Sequence, residues 1–279
     1  MTPERACKRC GALASTGARF RDNTVKGKLV KRGICYQCEL AAKRGKPKSR
    51  AGAPFAVVIG DTHFPFHHPA CLKWALDLIA DLEPQHVVQV GDLYDRFSQS
   101  KFPRNHSAIT PGEELTSGRE AAEAFWQSVR ARSPHSKCFQ LYGNHDDRPL
   151  KRALEAAPEL LEMVLPSVRG LHEFPGVTTM RDSKTELILD GVVFMHGYES
   201  RPGAHAAKNH ASTVHGHTHH GGTWFRSDGR GTFWELDAGC VVDLDSPAFD
   251  YRVQRKLYGV TLGVGVIDRS GPRFIPFVG

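Results

Sequence analysis

Residues 86–95, HVVQVGDLYD, decide the architecture. The run HVVQVG has the apolar, β-branched character of a strand, and it breaks at Gly91 into two carboxylates, Asp92 and Asp95. The same construction recurs on either side. FAVVIG (55–60) runs into Asp61-Thr62-His63, and KCFQLYG (137–143) runs into Asn144-His145-Asp146. Further on, VVFM leads to His196-Gly197, and STV leads to His215-Gly216-His217-Thr218-His219. Segments with helical periodicity separate the first three strands. PACLKWALDLIADL (69–82) sets Leu72, Ala75, Leu76 and Ile79 on one face, and EELTSGREAAEAFWQSVRA (113–131) follows the second strand. RPLKRALEAAPELLEMVL (148–165) reads as helical with a break near Pro158. This strand-helix-strand alternation predicts an α/β domain. After Pro175 strands dominate, namely ELILD, VVFMHG, STVHGH, GTWFRS, GTFWELDAG and YGVTLGVGVID, with one helical stretch at 202–211. A two-sheet core with helices outside fits that order.

In an α/β sheet, the loops beyond the carboxyl ends of the strands gather where ligands bind. A single histidine at a strand end, or a lone GD or GN turn, is ordinary. Five consecutive strand ends carrying Asp, Asn or His point to one shared site. Carboxylate, amide oxygen and neutral imidazole, with no thiolate among them, suit divalent Mn, Fe, Co, Ni or Zn. The donors outnumber what one ion can use, so two ions are implied.

Taken as a set, DTH, GDLYD, GNHDD, the later HG and GHTH resemble the five signature motifs of the calcineurin-like metallophosphoesterases, across residues 55 to about 220. The resemblance implies a β-sandwich flanked by helices with a dinuclear site. Asp61, His63 and His219 are then expected on one ion, Asn144, His196 and His217 on the other, with Asp92 bridging. A hydroxide shared by the ions is the implied nucleophile, since two ions roughly 3.5–4 Å apart lower the pKa of a bridging water and hold the phosphoryl oxygens. His145 is the implied proton donor to the leaving oxygen, with Asp95 orienting its ring. Arg96, Arg104 and Arg148 follow ligand motifs closely and are candidates for phosphate contacts. His67 and His68 either reach a substrate or occupy an exposed loop. His215 and His220 flank the GHTH turn as bystanders, and His205 and His210 fall on the helical stretch, facing solvent.

The first fifth of the chain differs from the rest. Residues 1–52 hold 14 Lys and Arg against 3 acids, whereas residues 53–279 hold 23 against 27. This segment has too few large apolar residues to bury a core unaided. Cys7-x-x-Cys10 and Cys35-x-x-Cys38 supply an alternative, because four thiolates in two tight turns match one tetrahedral structural zinc. Between them RFRDNTVKGKLVKRG reads as a basic hairpin suited to a phosphate backbone. The basic, Gly- and Pro-rich stretch 41–54 reads as a linker, so the expected division is a zinc-ribbon-like module with linker at 1–52 and a phosphoesterase domain at 53–279. Cys71, Cys138 and Cys240 are scattered, as small buried apolar residues are.

With 40% hydrophobic and 24% charged residues, no long apolar run and no secretory leader, the expected setting is a reducing cytoplasm without membrane contact. The function that fits is a dinuclear-metal phosphodiesterase or nuclease acting on DNA or RNA. The alternative is a phosphomonoesterase, acting on phosphoprotein or a small ester and targeted by the zinc module. Arg96 after GDLYD is similar to the Asp-Arg of protein phosphatases; Phe97 and Asp146 stand where those enzymes have Gly and Glu.

Overall fold

A computed structural model of the chain describes residues 54–101, 108–229, 231–249 and 259–279, together with two short strands, β1 (Asn23–Val25) and β2 (Lys28–Val30). Two units are distinguished, Met1–Ala51 and Gly52–Gly279. In the first, β1 and β2 pair antiparallel with Thr24 opposite Leu29, within the stretch read as a basic hairpin. Cys7, Cys10, Cys35 and Cys38 lie outside the described residues, as does Arg104.

Side-chain alternation along β3 (Ala56–Ile59) organises the second unit. Val57 and Ile59 face helices, Ala56 and Val58 face another sheet, and none of the four is exposed. A strand covered on both sides must be apolar throughout, which is why FAVVIG lacks the usual polar alternation. On one side of β3 lie β4 (His86–Gln89), β5 (Lys137–Gln140) and β6 (Val177–Thr179), each parallel to its neighbour. On the other side, β12 (Gly263–Asp268) and then β13 (Gly271–Pro276) are antiparallel, which completes a six-stranded sheet. The facing sheet comprises β7 (Leu187–Leu189), β8 (Val192–Phe194), β9 (Thr213–His215), β10 (Gly222–Asp228) and β11 (Gly231–Asp237), in the order β10-β11-β9-β8-β7. Within it β9 is parallel to both β8 and β11. Val58, Val88, Leu141, Phe194, Val214 and Leu236 fill the seam between the sheets.

Helices cover the outer face of the six-stranded sheet. The first, α1 (Pro69–Leu82), buries Leu72, Ala75, Leu76 and Ile79, as its periodicity predicts. Its start is fixed by His68, whose Nδ1 accepts a hydrogen bond from the Cys71 N–H at 3.1 Å, so His68 is a cap here. The second, α2 (Pro111–Arg132), opens with a reciprocal Thr110–Glu113 capping box and Pro111 in its first turn. Its Ala122, Phe125, Trp126 and Val129 reach the core. The stretch 148–165 breaks as expected, into α3 (Arg148–Ala156), a 3₁₀ turn at Pro158–Leu160, and α4 (Leu161–Gly170). Among the described residues, no helix is long and apolar enough to cross a membrane.

The short helix α5 (Ala204–Asn209) corrects one expectation. His205 does not face solvent but is buried, because α5 lies against β11, where the Glu235 carboxylate accepts from the N–H groups of Gly203 and Ala206. His210, at the end of α5, is exposed as read. The result is a mixed α/β fold of two facing sheets with flanking helices. Truncating Leu236, fully buried in the seam, is expected to cost about 2–5 kcal/mol through lost burial and the cavity left behind. Urea unfolding of Leu236→Ala should show a lowered midpoint; an unchanged midpoint would mean that the seam is not the core.

Candidate metal centre

The loops after β3, β4 and β5 from one sheet, and after β8 and β9 from the other, converge on one buried place. Reaching it strains the chain. His63, Asp92, His217 and His219 have φ of 49°, 50°, 69° and 61°, in the left-handed region that costs an L-residue roughly 1–2 kcal/mol. Strain of this kind concentrates where side-chain direction matters more than stability. Two glycines allow the close approach. A Cβ on Gly216 would stand 2.2 Å from Asp61 Oδ1, and one on Gly143 would stand 2.0 Å from Asp92 Oδ1.

The donors fall into two groups that share one carboxylate. In the first, His219 Nε2 lies 2.7 Å from Asp61 Oδ2 and 3.3 Å from His63 Nε2, and His63 Nε2 lies 3.7 Å from Asp92 Oδ2. In the second, Asn144 Oδ1 lies 2.9 Å from both His196 Nε2 and His217 Nδ1, and His196 Nε2 lies 3.4 Å from the same Asp92 Oδ2. The far nitrogens of two rings are anchored. His63 Nδ1 is 2.7 Å from Asp95 Oδ1, and His196 Nδ1 is 3.0 Å from the Val90 carbonyl.

That anchoring tests whether cations fit. A carbonyl only accepts, so His196 Nδ1 carries the proton given to Val90, and the Nε2 lone pair then faces Asn144 Oδ1 and Asp92 Oδ2, themselves acceptors. Only a second proton or a cation can occupy such a convergence. The charges agree. Burial opposes ionisation of Asp61, but His219 and His196 hold its pKa well below the usual carboxylate range, and His145 and His196 do the same for Asp92. Burial also opposes a charge on His63, yet hydrogen bonds to Asp61 and Asp95 raise its pKa to about 10; Asp92 and Asp61 raise that of buried His196 to about 9. The mixed nitrogen and oxygen donors suit first-row divalent ions. The residues present therefore fit two such ions.

Residues 56–239 match the family model described as calcineurin-like phosphoesterase. The chain belongs to that family. It is also similar to the Gene 54 proteins of Mycobacterium phage D29 and Mycobacterium phage L5. These are 26% identical over 249 residues and 25% identical over 256 residues, each covering 80% of this chain and 93% of the relative. Two solved structures share broad coverage at low similarity. One is Yfce, a phosphoesterase from E. coli, with 16% identity, TM-score 0.36, and 77% of this chain and 88% of that one covered. The other is the Pseudomonas putida nuclease MPE, with 13% identity, TM-score 0.34, and 92% and 100% covered.

Around the donors of this calcineurin-like phosphoesterase, several side chains have partners that spacing does not reveal. Asp95 stands beside two rings, His63 as well as His145. Its carboxylate is nearer His63, at 2.7 Å against 3.3 Å, and the closest acceptor to His145 Nδ1 is the Asp95 carbonyl at 2.7 Å. Arg148 donates to the Asp95 carbonyl at 2.8 Å and to His145 Nε2 at 2.7 Å. Arg96 is not at the mouth of the site. It is buried, with its guanidinium carbon 4.7 Å from the centre of the Tyr94 ring. Thr218 donates from its hydroxyl to Asp237 and so fixes the GHTH turn. His67 is partly buried, 3.2 Å from the Pro65 carbonyl, and His220 is exposed.

His215 is buried in a second cluster with His205 and Glu235 whose spacing also suits a metal ion. One of the three, His205, is not free to bind one. His205 Nε2 accepts the N–H groups of Tyr198 and Glu199, which puts the ring proton on Nδ1, the atom turned toward Glu235. His215 Nε2 lies 3.3 Å from Glu235 Oε1, so the cluster ties α5 to the strand that carries the GHTH turn. Asp146 is the residue sequence reasoning missed. Its carboxylate accepts the N–H groups of Leu93, Tyr94 and Gly143, stapling the GDLYD loop to the GNHD loop, and the only signal was a carboxylate extending GNH.

Two outcomes follow from this geometry. Asp146→Ala strands three buried donors at about 1–3 kcal/mol each, so its thermal midpoint should fall sharply; a midpoint like that of the parent would contradict the staple. With pKa values raised to about 10 and about 9, His63 and His196 are doubly protonated at pH 7 in the metal-free site, and an entering cation displaces those protons. Metal affinity should therefore rise with pH from 7 toward 9. Calorimetry of Mn²⁺ uptake at pH 7 in two buffers of different protonation enthalpy should show proton release, and its absence would contradict this charge balance.

Proposed function

We propose that this metal-dependent hydrolase is a phosphodiesterase that cleaves nucleic acid, DNA or RNA. The observation that carries the hydrolytic part is the Asp92 carboxylate standing between two donor groups. Asp61, His63, His219 and Asp92 would hold one ion, and Asn144, His196, His217 and Asp92 the other. Bound there, Mn, Fe, Ni, Co or Zn would supply an activated water and neutralise charge on the phosphoryl oxygens.

The chain's own contribution to the leaving group comes from His145. Its Nε2 lies 3.8 Å from Asp92 Oδ2, at the rim of the donor set, and its backbone N–H donates to Asp92 Oδ1 at 2.8 Å. With Nδ1 given to the Asp95 carbonyl, Nε2 is the atom that holds and delivers a proton. Arg148 occupies that atom at 2.7 Å. An anionic phosphate oxygen competes for the Arg148 guanidinium and frees His145 Nε2 for protonation. Asp95 positions the pair, through its carboxylate to His63 and its carbonyl to His145.

The nucleic-acid part rests on charge. The excess of 14 cations over 3 acids in residues 1–52 suits a polyanion, and Cys7, Cys10, Cys35 and Cys38 would hold one zinc to staple that segment. The phosphomonoesterase reading leaned on Arg96, a side chain buried against the Tyr94 ring.

With Mn²⁺, the full chain should turn over bis-p-nitrophenyl phosphate and labelled DNA or RNA, and p-nitrophenyl phosphate far more slowly. Turnover of the monoester alone would overturn the diesterase reading. His145→Ala should lower kcat by about 10²–10⁴ on nucleic acid, whose alkoxide leaving group needs a proton, and by less on a nitrophenolate ester. Equal losses on both would remove His145 as the donor.

A further inference from the structure

Asn144, a member of the second donor group, also lines a cleft of about 210 Å³. One wall is the turn after GDLYD, with Gln99, Ser100 and Lys101; the other is α3, with Arg148, Lys151, Arg152 and Glu155. Positions 148, 151, 152 and 155 fall at i, i+3, i+4 and i+7, which share one face of a helix. That face carries three of the cleft's four cations and its one acid. The inversion is local, because residues 53–279 as a whole hold 23 Lys and Arg against 27 acids. No residue of α3 is buried, so the helix is not held in place by a core stripe that would account for its charged face.

The four cations are not equivalent. Arg148 is held by His145 and the Asp95 carbonyl. Arg152 donates to the carbonyls of Gln99 and Ser100 at 3.3 and 3.4 Å, joining the helix to the turn. Lys101 and Lys151, both exposed, make no ion pair among the described residues. Two solvated ammonium groups therefore line the same cleft as Asn144, a donor of the proposed metal centre.

We infer that this cleft is the subsite for the phosphate backbone next to the scissile phosphate, so that the substrate is a polynucleotide strand lying across α3 from Asn144 outward. The inference rests on the diesterase reading. A small ester fills the donor set alone; a strand continues past Asn144, and its next phosphates meet Lys101 and Lys151. Point-charge ammonium groups suit this role, because backbone phosphates must be held in any sequence without a fixed bidentate geometry. Ammonium groups that neutralise phosphates also release counterions, so their part is read out in salt dependence.

The test uses the full chain with Mn²⁺, a single-stranded oligonucleotide, and bis-p-nitrophenyl phosphate, which is too short to span the cleft. In Lys101→Gln/Lys151→Gln the ratio of kcat/KM on the oligonucleotide to that on the small diester should fall about tenfold. The slope of log affinity against log salt should flatten by about 1.4, because two phosphates of a single strand are no longer neutralised. Lys101→Arg/Lys151→Arg, which keeps the charge, should restore both, a rescue that a merely structural role does not predict. An unchanged ratio and slope in the Gln variant would overturn the subsite while leaving the diesterase reading intact. Failure of the parent on both diesters, with turnover of p-nitrophenyl phosphate, would overturn both.

Discussion

Asp61 and Asp92 are carboxylates with almost no access to water, 0% and 2% exposed, and the rest of the site is arranged around that fact. An isolated buried carboxylate is costly enough to give up its charge unless positive groups surround it. Here imidazoles do so, and without cations His63 and His196 serve by carrying extra protons. Two divalent ions bound there would replace those protons with stronger charges. Metal binding and the stability of this buried cluster are therefore one problem, and affinity must depend on pH.

Holding the donors in place takes more than the donors. Asp95 and the Val90 carbonyl set the tautomers of His63 and His196, and Gly143 and Gly216 let a backbone approach each carboxylate. Asp146 ties the loops after β4 and β5 together, and Glu235 fixes α5 beneath the strand leading to the GHTH turn. Four residues of the site with left-handed φ store strain that these buried hydrogen bonds must offset. The two sheets supply opposite halves of the site, so the apolar seam between them also sets the distance between the halves.

Much of this was legible in the sequence where one physical rule acted alone. Covering both faces of β3 and β4 makes them apolar runs, and a Pro-initiated amphipathic segment gave α1 with the same bounds, Pro69–Leu82. The strand ends could be assigned to one site because each polar cluster follows such a run. Edge strands were harder. The sequence reading passed over β13, which has Pro272 and Pro276 and pairs with β12 alone, and β6, which is three residues long. Side-chain direction was hardest. Spacing cannot say that Asp95 reaches His63 before His145, that Arg96 turns inward over Tyr94, or that a six-residue helix hides His205. Those outcomes depend on backbone turns and on packing partners far away in the chain.

The proposed centre turns on one carboxylate, Asp92, which would join two ions. Electron paramagnetic resonance of the Mn²⁺-loaded protein reads that joining without an intermediary. Two ions should bind per phosphoesterase domain and give the spectrum of an exchange-coupled pair, with the coupling abolished in Asp92→Ala. One ion per domain, or two giving only the pattern of isolated Mn²⁺, would contradict a shared carboxylate.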